Sequence, residues 1–161
     1  MARTPFEPDA FVDAWNSHDA DRVAGLYADD ATVLRPQFPD PIRGREQIVW
    51  RVGNLLRAIP DLRMEEEDVV VEEDHVALLV RFTGTNTGEF ALTEDVRVPA
   101  TGGRVDYEIA AFLTIGEDGK IRHDRGVVDT ARLARQLGIA PDVLDRLIGT
   151  GGEQRRTTAA R

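Results

Sequence analysis

Apolar side chains recur at helical spacing in two stretches near the start of the chain. The first stretch opens at Pro8 and Asp9 and ends at the polar pair Ser17–His18. Its apolar stripe has three members at i, i+3 and i+4, namely Phe11, Ala14 and Trp15. The second stretch is capped by Asp19 or Asp21, and its apolar face is formed by Val23, Leu26 and Tyr27. Together the two patterns predict a helix that breaks and restarts.

A third helix is predicted from Arg45 to Ile59, where Pro60 ends it. One edge of its apolar face is formed by Ile48, Val52 and Leu55. Trp50 lies off that line. Before this helix, Ala31–Arg35 reads as a short strand, and the stretch PQFPDPIRG that follows is too rich in proline to be regular. It predicts a loop over one end of the fold.

The second half of the chain alternates between apolar and polar residues, which is the period of a half-buried strand. Four long strands are predicted: Leu62–Val71, His75–Thr85, Arg104–Ile115 and Lys120–Asp129. The acidic turn Glu72–Asp74 makes a hairpin of the first two, and GEDG at 116–119 joins the last two. The glycine- and threonine-rich segment between the second and third strands predicts a long irregular connection. A helix over Ala131–Leu137, stopped by Gly138, and a further short helix over 141–148 follow.

Helices grouped before strands predict an α+β fold, in which N-terminal helices cover one face of a strongly curved, mostly antiparallel sheet. A sheet bent in this way makes a cone-shaped α+β barrel, and its interior is a single deep pocket. The length of 161 residues and the apolar fraction of 42% suit one globular domain, predicted over residues 9–148. Residues 1–8 are predicted to be a flexible lead-in, and residues 149–161, which lack apolar periodicity, a disordered tail.

Composition and charge narrow the choice of partners. The chain carries 20 Lys and Arg against 29 Asp and Glu, a formal net charge of −9, which disfavours nucleic acid and anionic membrane surfaces as partners. No apolar run approaches the roughly 20 residues of a membrane helix, and the N-terminus lacks the apolar segment of a signal peptide, so a cytoplasmic protein is expected. The absence of cysteine excludes disulfides, thiolate nucleophiles and Cys-ligated zinc.

The strand Lys120–Asp129 carries the most unusual polar pattern in the chain. Because a strand puts alternate side chains on one face, that face is expected to present Ile121, His123, Arg125, Val127 and Asp129. Two aliphatic residues beside His, Arg and Asp suit the wall of a half-polar pocket. On this interpretation the opposite face, with Arg122 and Asp124, meets solvent or a second subunit.

Several local strings, in their order and spacing, resemble the SnoaL-like polyketide cyclases of the nuclear-transport-factor-2-like cone fold. The strings are GREQI (44–48), AIPDLR (58–63), DHVALLVRFTGTNTGEF (74–90), PATGGRVDY (99–107), EDGKI (117–121) and VDTARLARQLG (128–138). Together they span roughly residues 9–140. The resemblance implies a small-molecule pocket inside the cone, chemistry without metal or cofactor, and a homodimer formed through the convex face of the sheet.

In the resembled cyclases an acidic residue near the end of the last strand acts as acid/base in an intramolecular aldol closure. Asp129 matches that position. The chain departs from the family pattern close by, because Arg125 stands where members often carry an aromatic residue and Gly126 where they often carry Asp. If Arg125 lines the pocket, it favours a substrate with an acidic or strongly polarised oxygen.

Three residues form the candidate catalytic set, and each has a plainer alternative. Asp129 could remove a proton α to a carbonyl, or it could only cap the helix that follows it. His123 could shuttle a proton and Arg125 could hold an oxyanion, or both could lie on a polar, surface-facing strand. His18 and His75 are expected at the surface. With these three histidines no ligand pair forms at metal-binding spacing, so no metal is expected; the absence of a cofactor is what the resemblance implies.

Seven aromatic residues are candidates for binding the substrate: Trp15, Tyr27, Phe38, Trp50, Phe82, Tyr107 and Phe112. For each of them the alternative is ordinary core packing. Phe38 differs from the others because its proline-rich loop could form a lid. Tyr107 could either direct its hydroxyl into the pocket or pack with the inward residues of its own strand.

Three functions remain open from the sequence. The first is a cofactor-independent cyclase or isomerase that acts on a small apolar, polyketide-like carbonyl compound. The second is a non-catalytic protein that holds or carries a small molecule in the same cone. The third is an epoxide hydrolase or dehydratase, which needs an Asp–Arg–Asp cluster of which Asp129 and Arg125 supply two members.

Overall fold

The computed structural model describes residues 6–35, 40–91, 97–140 and 142–143. The elements along these residues are α1 (Pro8–Asn16), α2 (Ala20–Ala24), β1 (Tyr27–Leu34), β2 (Ile42–Arg43), α3 (Gly44–Ala58), β3 (Arg63–Glu72), β4 (His75–Thr85), β5 (Phe90–Ala91), β6 (Arg97–Val98), β7 (Arg104–Ile115), β8 (Ile121–Val128) and α4 (Thr130–Gln136). The predictions for Phe38 and for the 149–161 tail lie outside the described residues, as do those for most of the 1–8 lead-in and most of the 141–148 helix.

Six strands form one sheet in the order β2-β1-β8-β7-β4-β3, and a separate pair is formed by β5 and β6. In the large sheet β1 and β8 run parallel, while all other neighbours are antiparallel. Helix α1 packs on β3, α3 on β1 and α4 on β7, so the helices and the inner face of the sheet enclose the core. The predicted α+β fold, with helices on one face of a curved and mostly antiparallel sheet, is confirmed.

Several predicted elements need correction at their ends. The second helix stops at Ala24, and its cap is Asp19, whose carboxylate accepts hydrogen bonds from the backbone N–H groups of Asp21 and Arg22 at 2.9 and 3.1 Å. Tyr27 therefore begins β1 instead of ending a helix. The connection predicted to be irregular contains the short strands β5 and β6.

Strand β8 contains the irregularity that decides the site. Its pairing with β7 places Ile121 opposite Ile115 and His123 opposite Thr114, so Arg122 is one extra residue without an opposite partner. Because side chains alternate with period two, the extra residue exchanges the inward and outward faces of the strand beyond it. The inward residues are Ile121, Asp124, Gly126 and Val128, whereas His123, Arg125 and Val127 are exposed. The predicted pocket face of this strand is therefore wrong.

Two buried asparagines hold the connection between β4 and β7 against the helices. Asn54 of α3 donates to the Ala91 carbonyl at 2.5 Å and accepts from the Ala91 N–H at 3.0 Å. Asn86 donates to the Ala58 carbonyl at 3.1 Å and accepts from the Thr101 N–H at 2.9 Å. These bonds replace the ladder that a regular strand would provide, and they place Phe90 against the core. Across the described residues, no helix has the length and apolar character needed to cross a membrane.

Candidate functional site

A cavity of about 180 Å³ lies between the inner face of the sheet and the helices. Since one water-sized sphere occupies about 10–15 Å³, the cavity has room for roughly a dozen spheres of that size. Most of its wall is apolar, supplied by both the helices and the inner strand positions. Such a wall favours an apolar small molecule, and the few polar groups on it are the candidates for specificity.

One side of the cavity is an aromatic wall. The Trp15 ring meets the Phe82 ring edge to face, with centroids 5.4 Å apart and an interplanar angle of 77°. Phe82 in turn stacks on Tyr107, its partner across the β4–β7 ladder, at 5.5 Å and 19°. These rings present a flat, polarisable surface on which the ring or conjugated chain of a ligand could stack.

A buried polar cluster of Asp124, Arg35 and Tyr27 lies on the same cavity. Asp124 is 1% exposed. Its Oδ1 accepts from Arg35 Nη1 at 2.7 Å, and its Oδ2 accepts from Arg35 Nη2 and from the Tyr27 hydroxyl, both at 2.8 Å. A two-point guanidinium–carboxylate pair of this geometry is among the strongest polar contacts in proteins.

The parallel pairing of β1 with β8 explains how this cluster forms. Val33 lies opposite Asp124 in the register, so the chain is just beyond Asp124 when it reaches Arg35. From there the Arg35 side chain, 15% exposed, extends to the carboxylate, and its Nη1 also donates to the Leu34 carbonyl at 2.9 Å. Tyr27 opens the same strand, with its ring directed inward and 6% exposed.

Burial sets the protonation of the aromatic and basic groups in the cavity. It raises the pKa of Tyr27 well above the usual value of a phenol, and the Asp124 charge raises it further. Burial likewise raises the pKa of Tyr107, with the nearby Arg35 charge opposing it. Burial alone would lower the pKa of Arg35, but its pairing with Asp124 outweighs this and raises it. At neutral pH the cavity therefore holds two neutral phenols and a charged guanidinium.

The Tyr107 and Thr130 hydroxyls lie on the cavity wall, where they can donate hydrogen bonds to a ligand. Among the described residues, Trp15 Nε1 has no hydrogen-bond partner, but the atom is fully buried and so does not face a ligand in this conformation. The Thr130 hydroxyl makes only a long contact of 3.4 Å to the Val128 carbonyl. Arg51 also lines the cavity, and its guanidinium lies 4.8 Å from the centroid of the Trp50 ring. A ligand with a hydrogen-bond acceptor, such as a carbonyl oxygen, matches the Tyr107 and Thr130 hydroxyls.

The structure does not bring the predicted catalytic residues to the cavity. His123 and Arg125 are exposed on the outer face of β8, a consequence of the extra residue at Arg122. Asp129 is exposed and caps α4, where its Oδ1 accepts from the Arg132 N–H at 2.8 Å. The helix-cap alternative therefore describes the contacts of Asp129. The expectation that Asp124 meets solvent or a subunit is wrong, because it faces the cavity.

The predicted aromatic set divides into two groups. Trp15, Tyr27, Phe82 and Tyr107 line the cavity. Trp50 and Phe112 do not, because they are 40% and 57% exposed. Trp50 lies on the outward side of α3, off the apolar line of that helix, and Phe112 occupies an outward position of β7, opposite Arg125. Their prediction as pocket residues is therefore corrected.

Arg35 and Asp124 are the site residues that sequence reasoning missed. Asp124 was visible as one of four consecutive polar residues, Arg122 to Arg125, but simple alternation placed it outside. Arg35 appears in the sequence only as the end of a predicted strand, because the partner that gives it a role, Asp124, lies 89 positions away. Within the described residues, no three His, Asp or Glu side chains lie close enough together to hold a metal ion.

A cone of this kind, in which N-terminal helices cover a curved, mostly antiparallel sheet around a cavity, defines the nuclear-transport-factor-2-like fold class. Residues 8–137 match the family model of the SnoaL-like polyketide cyclases. The chain belongs to this family, which confirms the membership predicted from the resemblance of its sequence. Among curated proteins, no sequence matches the chain.

Solved structures of the same fold show how varied its functions are. AclR from Streptomyces galilaeus, described as a candidate hydroxylase, is 29% identical, with a TM-score of 0.67 over 82% of this chain and 92% of its own. IdmH from Streptomyces antibioticus, described as a candidate polyketide cyclase, is 25% identical, with a TM-score of 0.65 over 81% and 94%. A LEH-like epoxide hydrolase of M. tuberculosis shares the fold at 16% identity and a TM-score of 0.60, over 80% and 84%.

Proposed function

We propose that this protein is a cofactor-independent cyclase or isomerase that moves a proton on a small apolar carbonyl compound held in the cavity. The observation that carries the proposal is the Asp124–Arg35–Tyr27 cluster, whose carboxylate is the single one among the described residues that line the mainly apolar cavity. Membership of the SnoaL-like family and the likeness to IdmH support a carbonyl substrate. The acid/base role expected of Asp129 is thereby assigned to Asp124.

Each group of the cluster, and Tyr107 beside it, has a role in this chemistry. Asp124 accepts the proton from the carbon next to the carbonyl. In a cyclisation it then gives that proton to the alkoxide oxygen formed when this carbon attacks a second carbonyl, and in an isomerisation to the carbon at the far end of the shifted double bond. The Tyr107 hydroxyl and the Arg35 guanidinium donate to the oxygen on which negative charge develops. Tyr27 binds Asp124 Oδ2 and holds the carboxylate in one orientation. The aromatic wall orients the substrate and excludes water.

A binding protein without catalysis is the second candidate, and one observation favours it. Both oxygens of Asp124 already accept hydrogen bonds from Arg35, and Oδ2 accepts a third from Tyr27. A carboxylate so fully paired is a weak base unless the substrate shifts Arg35 aside. In this case the cluster would fix the orientation of a bound ligand and the ligand would be released unchanged.

Epoxide hydrolysis is less well supported. A water-activating cluster of the Asp–Arg–Asp type needs two carboxylates around one guanidinium. Among the described residues that line the cavity, Asp124 is the single carboxylate. The likeness to the epoxide hydrolase is at 16% identity and concerns the fold alone.

Proton exchange of a simple ketone tests the proposal without knowledge of the natural substrate. The probe is 1-tetralone in D₂O, with the loss of its α-proton signal followed by NMR. The wild-type protein is expected to accelerate the exchange above the buffer rate, Asp124→Asn to return it to that rate, and Asp129→Asn to leave it unchanged. Circular dichroism controls for folding of each variant.

The outcomes separate the candidates. Binding of 1-tetralone by the wild-type protein, seen by saturation-transfer NMR, without faster exchange would favour the binding protein. Undiminished exchange by a folded Asp124→Asn variant would refute the role of Asp124. Loss of exchange in Asp129→Asn alone would restore the role first expected of Asp129.

A further inference from the structure

Gly126 occupies an inward, buried position of β8, two residues after Asp124. A Cβ atom at this position would lie 2.8 Å from Cζ and Nε of Arg35 and 2.9 Å from its Nη1. The three nearest atoms to that point thus all belong to one guanidinium group, which lies flat over the glycine. Atoms that are not bonded to each other do not normally approach so closely, so a Cβ atom at position 126 would require the guanidinium or the strand to move.

Backbone conformation does not account for the glycine. Gly126 is absent from the glycines with positive φ, which are Gly44, Gly102, Gly119 and Gly138. It sits in a regular antiparallel ladder opposite Ala111. Glycine inside a strand is unfavourable relative to alanine, because it loses more conformational freedom on folding and packs no side chain. The reason for glycine at this position is therefore the space that it leaves.

Arg35 cannot easily give up that space. Its tip is fixed by two bonds to Asp124 and one to the Leu34 carbonyl, and the side chain is 15% exposed. Gly116 provides a contrast within the same chain. A Cβ atom there would lie 2.6 Å from Arg122 Nε and 2.7 Å from Asp118 Oδ1, but these two side chains are 41% and 51% exposed and can turn into solvent.

We propose that Gly126 is a positioning residue, which makes room for the Arg35 guanidinium to lie over β8 and pair with both oxygens of Asp124. The inference rests on the proposed function only for the use made of the pair; the packing itself does not depend on it. A side chain at position 126 would push the Arg35 guanidinium away from the Asp124 carboxylate. Asp124 would then be partly unpaired, and the Arg35 charge would lie on the cavity wall without its partner.

Gly126→Ala tests this in two backgrounds, with Gly116→Ala as a control. In the wild-type protein it is expected to lower the urea midpoint of unfolding. In an Arg35→Ala/Asp124→Asn double variant, which lacks the guanidinium and the charge, the same change is expected to leave the midpoint unchanged or raise it. Gly116→Ala, the matched control, is expected to shift the wild-type midpoint little. A role of Gly126 unrelated to Arg35 would give the same loss in both backgrounds and would overturn the inference.

A crystal structure of Gly126→Ala provides a second readout that needs neither the double variant nor turnover. The inference expects at least one of the two Arg35–Asp124 bonds to be broken. A guanidinium found in place, with both bonds intact, would overturn it. Because neither measurement uses a substrate, failure of the ketone-exchange assay would count against the proposed function and leave this inference standing.

Discussion

Replacing Arg35 by Met should destabilise the protein strongly, through the charge that it leaves behind. Met keeps most of the apolar stem and its packing, so the main loss is the guanidinium. Asp124, 1% exposed, would then keep a single hydrogen bond, from Tyr27 at 2.8 Å, to compensate its charge. Removing one partner of a buried ion pair typically costs about 3–5 kcal/mol, because the remaining charge has neither water nor a counter-charge.

A cost of this size is a large share of the roughly 5–15 kcal/mol that stabilises an ordinary domain, so it is readily measured. Urea unfolding at pH 7, followed by circular dichroism, gives the free energy of unfolding for each variant. The control is the double variant Arg35→Met/Asp124→Asn, in which the carboxylate is neutral and its carbonyl oxygen can still accept from Tyr27. Removing the charge should restore about 2 kcal/mol or more relative to Arg35→Met alone.

The decisive part of this prediction is the direction in which adding Asp124→Asn changes the free energy of unfolding of Arg35→Met. If the cost of Arg35→Met came from lost packing, a further substitution at Asp124 would add to the damage. A double variant no more stable than Arg35→Met would therefore refute the assignment of a desolvated ion pair. A loss below about 1 kcal/mol for Arg35→Met, the value of a surface pair, would refute it as well.

Three further predictions concern other parts of the molecule. Asp129→Ala should lower the free energy of unfolding by about 1 kcal/mol through loss of the α4 cap, and Asp129→Ser should recover most of it in urea titrations. Tyr27 and Tyr107 have a raised pKa in the folded protein, so as the pH rises these tyrosines ionise first in the unfolded chain. Their contribution to the free energy of unfolding is fully present below about pH 10. Above that pH the free energy of unfolding should fall by up to about 1.4 kcal/mol per pH unit for each tyrosine. Unfolding at pH 9 to 11 would show this fall, and absorbance at 295 nm should rise only on unfolding. Phe112 is 57% exposed on the outer face of the sheet, which would be covered in the homodimer that we expect. Phe112→Lys should therefore convert the dimer to a monomer in sedimentation velocity. An unchanged sedimentation coefficient would contradict this interface.

Much of the fold was predictable because its long elements have clear periodicity. The alternation over β7 gave its bounds, Arg104–Ile115, as the structure has them, and the hairpin of β3 and β4 was placed to within a residue. The short strands β5 and β6 were missed, because two residues are too few to show alternation. Their position depends on the side chain of Asn54, a contact over 37 positions that leaves no local pattern.

The site was predictable in kind but not in its residues. Aromatic positions such as Phe82 and Tyr107 lie on strands whose alternation is unbroken from end to end, so their inward direction followed from the sequence. The face of β8 did not, since the bulge at Arg122 arises from pairing with β7, which a single strand does not reveal. One residue of shift exchanges every side chain between the two faces.

The polar run of β8 meant that some charged or polar side chain would face the cavity in either register, and the rest of the wall explains which one does. Without the bulge, Arg125 would face inward and approach the guanidinium of Arg35 with no carboxylate from β8 between them. With the bulge, Asp124 faces inward and meets the donors of both Arg35 and Tyr27, while Gly126 leaves the space that Arg35 needs. Burying two like charges is far costlier than burying a paired one. Tyr27 of β1 and Arg35 just after it therefore favour the register of β8 that turns Asp124 inward. The charge of the cavity wall thus follows from contacts across the sheet and not from the residue pattern of β8 itself.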